Sequence, residues 1–160
     1  VGTLDGANIE IRDRVGAGNF FLFGMTADQA ATLRQSGYSP YGYYRNDPEL
    51  KAAIDALTSD TFTAGERDTI KPLIDSLLRQ DEYMVLADYR SYVDCYDQSA
   101  EPAWADQDRW TQMSILNTAR SGFFSSDRTV HGYCHDIWHA EPVPVHTDTA
   151  AAPDLSTPGS

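Results

Sequence analysis

His131, His135 and His139 stand at i, i+4 and i+8, a spacing that sets three imidazoles on one face of a helix. Two histidines one turn apart can chelate Zn²⁺. A tight site, however, needs three or four converging ligands with outer hydrogen bonds to orient them, and one straight helix face does not supply that. The row is therefore predicted to be solvated and to form no functional metal centre. Ser125, Ser126 and Asp127 precede the same helix. No histidine is placed to activate either hydroxyl, so capping explains them better than nucleophilic chemistry.

The cations are few. Lys51 and Lys71 are the only lysines, and both fall in helical patterns without a motif around them. Arg120 and Arg128 flank a turn and suggest an anion site, but Lys+Arg of 12 against Asp+Glu of 24 makes pairing with carboxylates the expected role. Near the start, Asp5-Gly6 forms a turn, with Asp5 predicted to cap the following helix and Asn8 to bond nearby backbone. Glu10 lies within the same motif. Gly16-Ala17-Gly18 lacks the spacing of a dinucleotide fingerprint, and no Walker loop is present. Cys95 and Cys134 form no CxxC pair and are expected to be free thiols, as in a cytosolic protein. No catalytic, cofactor-binding or metal-binding residue is assigned.

The net charge of −12 repels phosphate backbones and anionic headgroups, which argues against nucleic acid and membrane-surface partners. There is no uninterrupted apolar run of about 18 residues such as a membrane span needs. An apolar fraction of 41% with 11% aromatics gives the 160 residues enough to build a core, and most Tyr and Trp rings are expected to pack into it.

The elements that must position these groups can be read from spacing. A helix is predicted over Ala7–Val15, ended by Gly16 and Gly18, then a buried strand over Asn19–Phe23 closed by Gly24. A first strand would lie mostly before Val1. Thr26 caps a short helix that stops at Gly37. Tyr38–Asp47 shows no clear period and reads as a loop; Asn46-Asp47-Pro48 then announces a helix carrying Leu50, Ile54 and Leu57. Ile70, Leu73, Ile74, Leu77 and Leu78 form the best helical stripe, with Pro72 expected in its first turn or at a kink. Tyr83-Met84-Val85-Leu86 reads as extended, and Asp88 as the cap of a helix with Tyr92, Val93 and Tyr96 that Pro102 limits. A helix from about Asp106 to Arg120 carries Trp110, Met113 and Leu116, and the last one presents Val130, Tyr133, Cys134, Ile137 and Trp138 on one face. The proline-rich 143–160 is predicted to be a disordered tail.

Several blocks resemble one family in order. Val1-Gly2-Thr3-Leu4-Asp5-Gly6-Ala7-Asn8-Ile9-Glu10 and Asn19-Phe20-Phe21-Leu22-Phe23-Gly24 are similar to segments of the glycogen, starch and maltodextrin (α-glucan) phosphorylases. So are Tyr83-Met84-Val85-Leu86-Ala87-Asp88-Tyr89-Arg90-Ser91-Tyr92-Val93-Asp94, Trp110 with Ser114-Ile115-Leu116-Asn117-Thr118-Ala119-Arg120, Gly122-Phe123-Phe124-Ser125-Ser126-Asp127-Arg128-Thr129, and Ile137-Trp138. Pro102 departs from the family's charged helix and puts that helix's length in question.

The resemblance, bacterial in style, covers about Val1 to Pro142 and implies an α/β fold: the C-terminal part of a GT-B glycosyltransferase of two Rossmann-like domains, mostly helical here with two or three short strands. Residues 1–142 would be an N-terminally incomplete part of the catalytic domain. The implied enzyme is a cytoplasmic homodimer that moves a terminal glucosyl unit of an α-1,4-glucan to orthophosphate, giving glucose 1-phosphate. Its cofactor is pyridoxal 5′-phosphate, on a lysine expected just before Val1, so the chain itself is predicted inactive. A free-standing acidic helical module that binds a protein partner is the competing expectation.

Overall fold

The computed structural model describes residues 1–59, 62, 65, 67–141 and 143. Apart from Val143, the predicted tail lies outside these residues. The chain divides into two compact units, 1–122 and 123–160.

In the first unit, β1 (Gly2–Thr3) and β2 (Leu22–Phe23) pair in parallel, Gly2 opposite Leu22 and Thr3 opposite Phe23. Helix α1 (Gly6–Val15) and a 3₁₀ turn (Ala17–Asn19) connect them, as a parallel pair requires. The helix stops where Gly16 takes φ +97, a backbone shape that costs a side chain dearly. The predicted strand over Asn19–Phe23 is thus shorter and only half-buried. Asn19 is held in the 3₁₀ turn by its own amide, which donates to the Val15 carbonyl at 2.8 Å. Val15 itself is completely buried.

Helix α2 (Ala27–Gln35) opens with a capping box: Thr26 Oγ1 accepts from Gln29 N–H, and the Gln29 side chain accepts from Thr26 N–H. The segment expected as a loop is instead a helix, α3 (Pro40–Asn46), capped by Ser39 with Pro40 in its first turn. That is the same signal that starts α4 (Pro48–Leu57), where Asp47 accepts from the N–H groups of Glu49 and Leu50 at 3.0 Å. Two capped, proline-started helices in succession leave no room for a loop.

Helix α5 (Arg67–Arg79) carries Pro72 inside it, beyond its first turn, and helix α6 spans Val85–Cys95. The core sits among these helices: Leu50, Ile54, Ile74 and Leu86 are buried together, with Tyr43, Tyr44, Ile70, Leu77 and Leu78 packed against them. Of the predicted stripe, Leu73 alone is half-exposed, at 51%.

The stretch Tyr83–Leu86 is not extended. Met84 adopts φ 56 and Val85 already begins α6, so Asp88 lies within the helix, and the Asp81 carboxylate accepts from its first two N–H groups. Nor does Pro102 end α6. The chain passes through a π turn (Tyr96–Ala100), where Glu101 N–H reaches the Tyr96 carbonyl, into α7 (Glu101–Ala105) with Pro102 in its first turn. The wider turn accommodates a residue without an N–H, and helical direction is kept. Helix α8 (Gln107–Ser121) follows, capped by Asp106.

The second unit holds α9 (Ser126–Tyr133), with Ser125 Oγ accepting from Arg128 N–H at 3.2 Å, and a π turn (Cys134–Trp138) ended by His139 at φ 49. Among the described residues no helix is long and apolar enough to cross a membrane.

Candidate functional site

In parallel α/β sheets, ligand chemistry gathers at the carboxyl ends of the strands. Here β1 ends in a closed set of side chains. Thr3 Oγ1 donates to Asp5 Oδ2 at 2.8 Å, and the Asn8 amide donates to Thr3 Oγ1 at 3.0 Å and Asp5 Oδ1 at 3.1 Å. Asp5 therefore makes no side-chain cap bond to α1, contrary to expectation, and Asn8 bonds side chains, not backbone. The hydroxyl of Thr3, two residues before Asp5, captures the carboxylate first. A Cβ at Gly2 would stand 2.6 Å from Asn8 Oδ1, so the amide occupies the space that only glycine leaves. Glu10 is exposed on α1.

The end of β2 is fastened to α6. Gly24 N–H donates to Ser91 Oγ at 2.8 Å and Met25 N–H to Asp88 Oδ1 at 2.9 Å. Burial pushes the Asp88 carboxyl above its ordinary value; the Met25 N–H opposes this, and the nearby charges of Asp81 and Asp5 reinforce it. A carboxyl raised in the folded state contributes stability that is present at low pH and lost as pH rises through the folded value. Asp88→Asn, which keeps an acceptor for Met25, is therefore expected to be at least as stable as the parent at pH 7, with an advantage that shrinks as pH falls through the carboxylate range. Urea midpoints at pH 7 and pH 4 measure this, and an advantage that grows on acidification would contradict it.

The cations are engaged elsewhere. Lys51 bonds Asp55 and, at 3.1 Å, the Tyr44 hydroxyl; the Asp55 hydrogen bond, then that to Tyr44, holds its ammonium above the ordinary value. Lys71 pairs with Asp75 at 2.7 Å. Arg90 grips Asp47 through two nitrogens and Glu49 at 2.9 Å, joining α6 to the start of α4. Partial burial works against ionisation of Asp47, yet the Leu50 N–H and Arg90 outweigh it and keep the carboxyl below its usual range.

Among the described residues, Arg120 and Arg128 do not have the carboxylate partners expected of them. Arg120 Nη1 donates to the Val15 carbonyl at 2.7 Å, and Arg128 Nε donates to the Phe123 carbonyl with its guanidinium 3.6 Å over the Phe123 ring. The reason is the unsatisfied carbonyls where a helix or turn ends, which a cation relieves. Asn117 adds to this, donating to Asn19 O at 2.8 Å and Met113 O at 2.9 Å.

The histidine row does not stay on one helical face, because the π turn begins at Cys134 and His139 leaves the helix. His135 contacts Asp136, and His139 Nδ1 lies 3.0 Å from the His135 carbonyl. Among the described residues no group of three or more His, Cys, Asp or Glu is arranged to hold a metal ion. Cys95 and Cys134 are free, and burial pushes the Cys95 thiol up. The aromatic rings divide: Tyr43, Tyr44 and Tyr89 pack on the core, whereas Tyr83 (82%), Trp104 (56%) and Trp138 (61%) are exposed.

Sequence reasoning missed Asp81 and Ser91. Asp81 is 4% exposed and accepts from Tyr38 Oη at 2.5 Å, Val85 N–H at 2.9 Å and Leu86 N–H at 2.8 Å. Burial, then Asp81 itself, drives the Tyr38 phenol far above its ordinary value, so it remains a donor. These arrangements fix backbone at strand and helix ends, with each polar group bonded to a neighbour.

A family model described as carbohydrate phosphorylase matches residues 1–140. The glycogen phosphorylase of Synechocystis sp. is 51% identical over 148 residues, 92% of this chain and 17% of that protein. That of Pasteurella multocida is 41% identical over 143 residues, 89% of this chain and 17% of that protein. The brain form from Ovis aries is 40% identical over 153 residues, 96% of this chain and 18% of that protein. The chain spans about one sixth of the length of these relatives.

Proposed function

Because the chain belongs to the carbohydrate phosphorylase family, we propose that it works as the C-terminal part of a longer, cytoplasmic, homodimeric α-glucan phosphorylase of GT-B architecture. Residues 1–142 would be its share of the catalytic domain and 143–160 a tail. The whole enzyme transfers a terminal glucosyl unit from an α-1,4-glucan to orthophosphate, releasing glucose 1-phosphate. The observation that carries this reading is the family-model match over residues 1–140, together with relatives of which the matched segment is only 17%.

Pyridoxal 5′-phosphate would supply a phosphate group that shuttles a proton beside the substrate phosphate. Anchoring it takes a lysine free to form a Schiff base, with basic donors for its phosphate. The residues present do not fit: Lys51 and Lys71 are spent on Asp55 and Asp75, and the described lysines and Arg90 lie on helix surfaces. No reaction step is assigned to residues 1–141. What they contribute is scaffold: Thr3, Asp5 and Asn8 shape the end of β1, and Asp88 and Ser91 fasten the end of β2.

The test is a chimera in which this chain replaces the matching segment of the Synechocystis glycogen phosphorylase. With glucan, phosphate and cofactor, the chimera is expected to release glucose 1-phosphate and the isolated chain none. Turnover by the isolated chain, or a folded chimera without activity, would overturn the reading.

A further inference from the structure

The turn before α6 is an unusual construction. Asp81 and Met84 both hold positive φ, 37 and 56, without being glycine, and both are buried at 4% and 3% exposure. Such backbone persists only where its surroundings over-determine it, and residues so held cluster at functional places. Here the determinants are Tyr38 on the Asp81 carboxylate and Arg34, which donates to the Glu82 carbonyl at 2.9 Å. Between the two buried residues stands Tyr83, pushed out to 82% exposure. A fixed turn thus presents an aromatic ring to solvent.

Beside it lies an apolar groove of about 300 Å³, with Thr3 and Phe23 of the sheet on one side and Val85, Tyr89 and Tyr92 of α6 among its walls. Thr3 and Phe23 are opposite each other in the strand register, so their side chains share a face of the sheet. Parallel sheets are covered on both faces in stable proteins, and a pair of strands this short does not stand alone. Exposed aromatic surface next to an incomplete parallel sheet calls for a covering segment.

We propose that the Tyr83 turn and this groove are the docking seat for an apolar stretch of the phosphorylase polypeptide lying outside residues 1–160. The inference rests on the proposed function, and it adds which surface of this chain receives the remainder. Two observations select the occupant. The matched segment is only 17% of these relatives, so the family fold holds ample polypeptide to fill the groove. A second copy would instead bring together two chains that each carry a net charge of −12.

Hydroxyl-radical footprinting read by mass spectrometry tests this without altering the seat. Oxidation of Tyr83 is compared between the isolated chain and the Synechocystis chimera. Tyr83 is expected to be protected on the order of tenfold in the chimera, as burial of a ring now 82% exposed requires. Should the chimera not fold, the isolated chain is titrated with the Synechocystis enzyme shortened by its matching segment, and the same protection is expected. Equal oxidation throughout overturns the proposal, and so does protection that appears on concentrating the isolated chain alone, which would assign the seat to a second copy. The two readings separate cleanly: an active chimera with Tyr83 still oxidised removes the seat and keeps the function, and a protected Tyr83 in a folded but inactive chimera does the reverse.

Discussion

Asp81→Ala is expected to lose about 3–5 kcal/mol of unfolding stability. One buried carboxylate serves the Tyr38 hydroxyl and the first two N–H groups of α6. Truncation strips three donors of their acceptor in a place water reaches poorly, and each orphaned donor costs more than a hydrogen bond is ordinarily worth. It also releases a turn whose positive φ values at Asp81 and Met84 depend on that carboxylate. Because small domains are stable by only about 5–15 kcal/mol, a loss of this size removes a large share of the total. Tyr38→Phe, which removes one donor and leaves the cap, should lose about 1–2 kcal/mol. Urea titrations followed by circular dichroism give both values; an Asp81→Ala midpoint close to that of the parent would refute the assigned role.

Gly24→Val is the second severe substitution, with an expected loss of about 3 kcal/mol or more from backbone strain and collision together. Gly24 has φ +88, where a β-branched residue is strongly disfavoured, and its added Cβ would lie 2.8 Å from Asp88 Oδ2. Asp88 cannot simply retreat, because it accepts the Met25 N–H. Strain and collision can be told apart in a double-mutant cycle. Gly24→Ala should cost less in an Asp88→Ala background, since the colliding carboxylate is gone while the φ remains. Additive losses, agreeing within about 0.5 kcal/mol, would show that the carboxylate does not set the penalty.

How far the sequence foretold this molecule depended on how local the determining contact was. The caps Thr26, Asp47 and Asp106 act within three residues of themselves, and their helices were readable from spacing and cap chemistry. The Ser39-Pro40 start of α3 was equally local and was masked by the run of tyrosines that follows it. Asp81 was hidden for a different reason. Its partner Tyr38 is 43 residues away, and a four-residue apolar run such as Tyr83–Leu86 has no period that separates strand from helix. The same holds for Arg120, whose carbonyl partner Val15 is 105 residues distant; its charge alone pointed to carboxylates. Pro102 was read as a terminator because sequence gives no sign of the π turn that absorbs it. Of the candidate site, only the count of lysines, Lys51 and Lys71, was legible directly. The fastening of β2 by Asp88 and Ser91 required the fold.

The Arg120 to Val15 bond also fixes an order of events during synthesis. Helix α1 closes on a carbonyl whose partner is made 105 residues later, and Asn117 reaches back 98 residues to Asn19. By contrast, the buried Leu50, Ile54, Ile74 and Leu86 lie within a stretch of 37 positions, and contacts this close in sequence close loops of low entropic cost. The middle of the chain can therefore condense while still tethered to the ribosome. β1 and α1, though made before that middle stretch, must wait for α8 before their last turn is sealed.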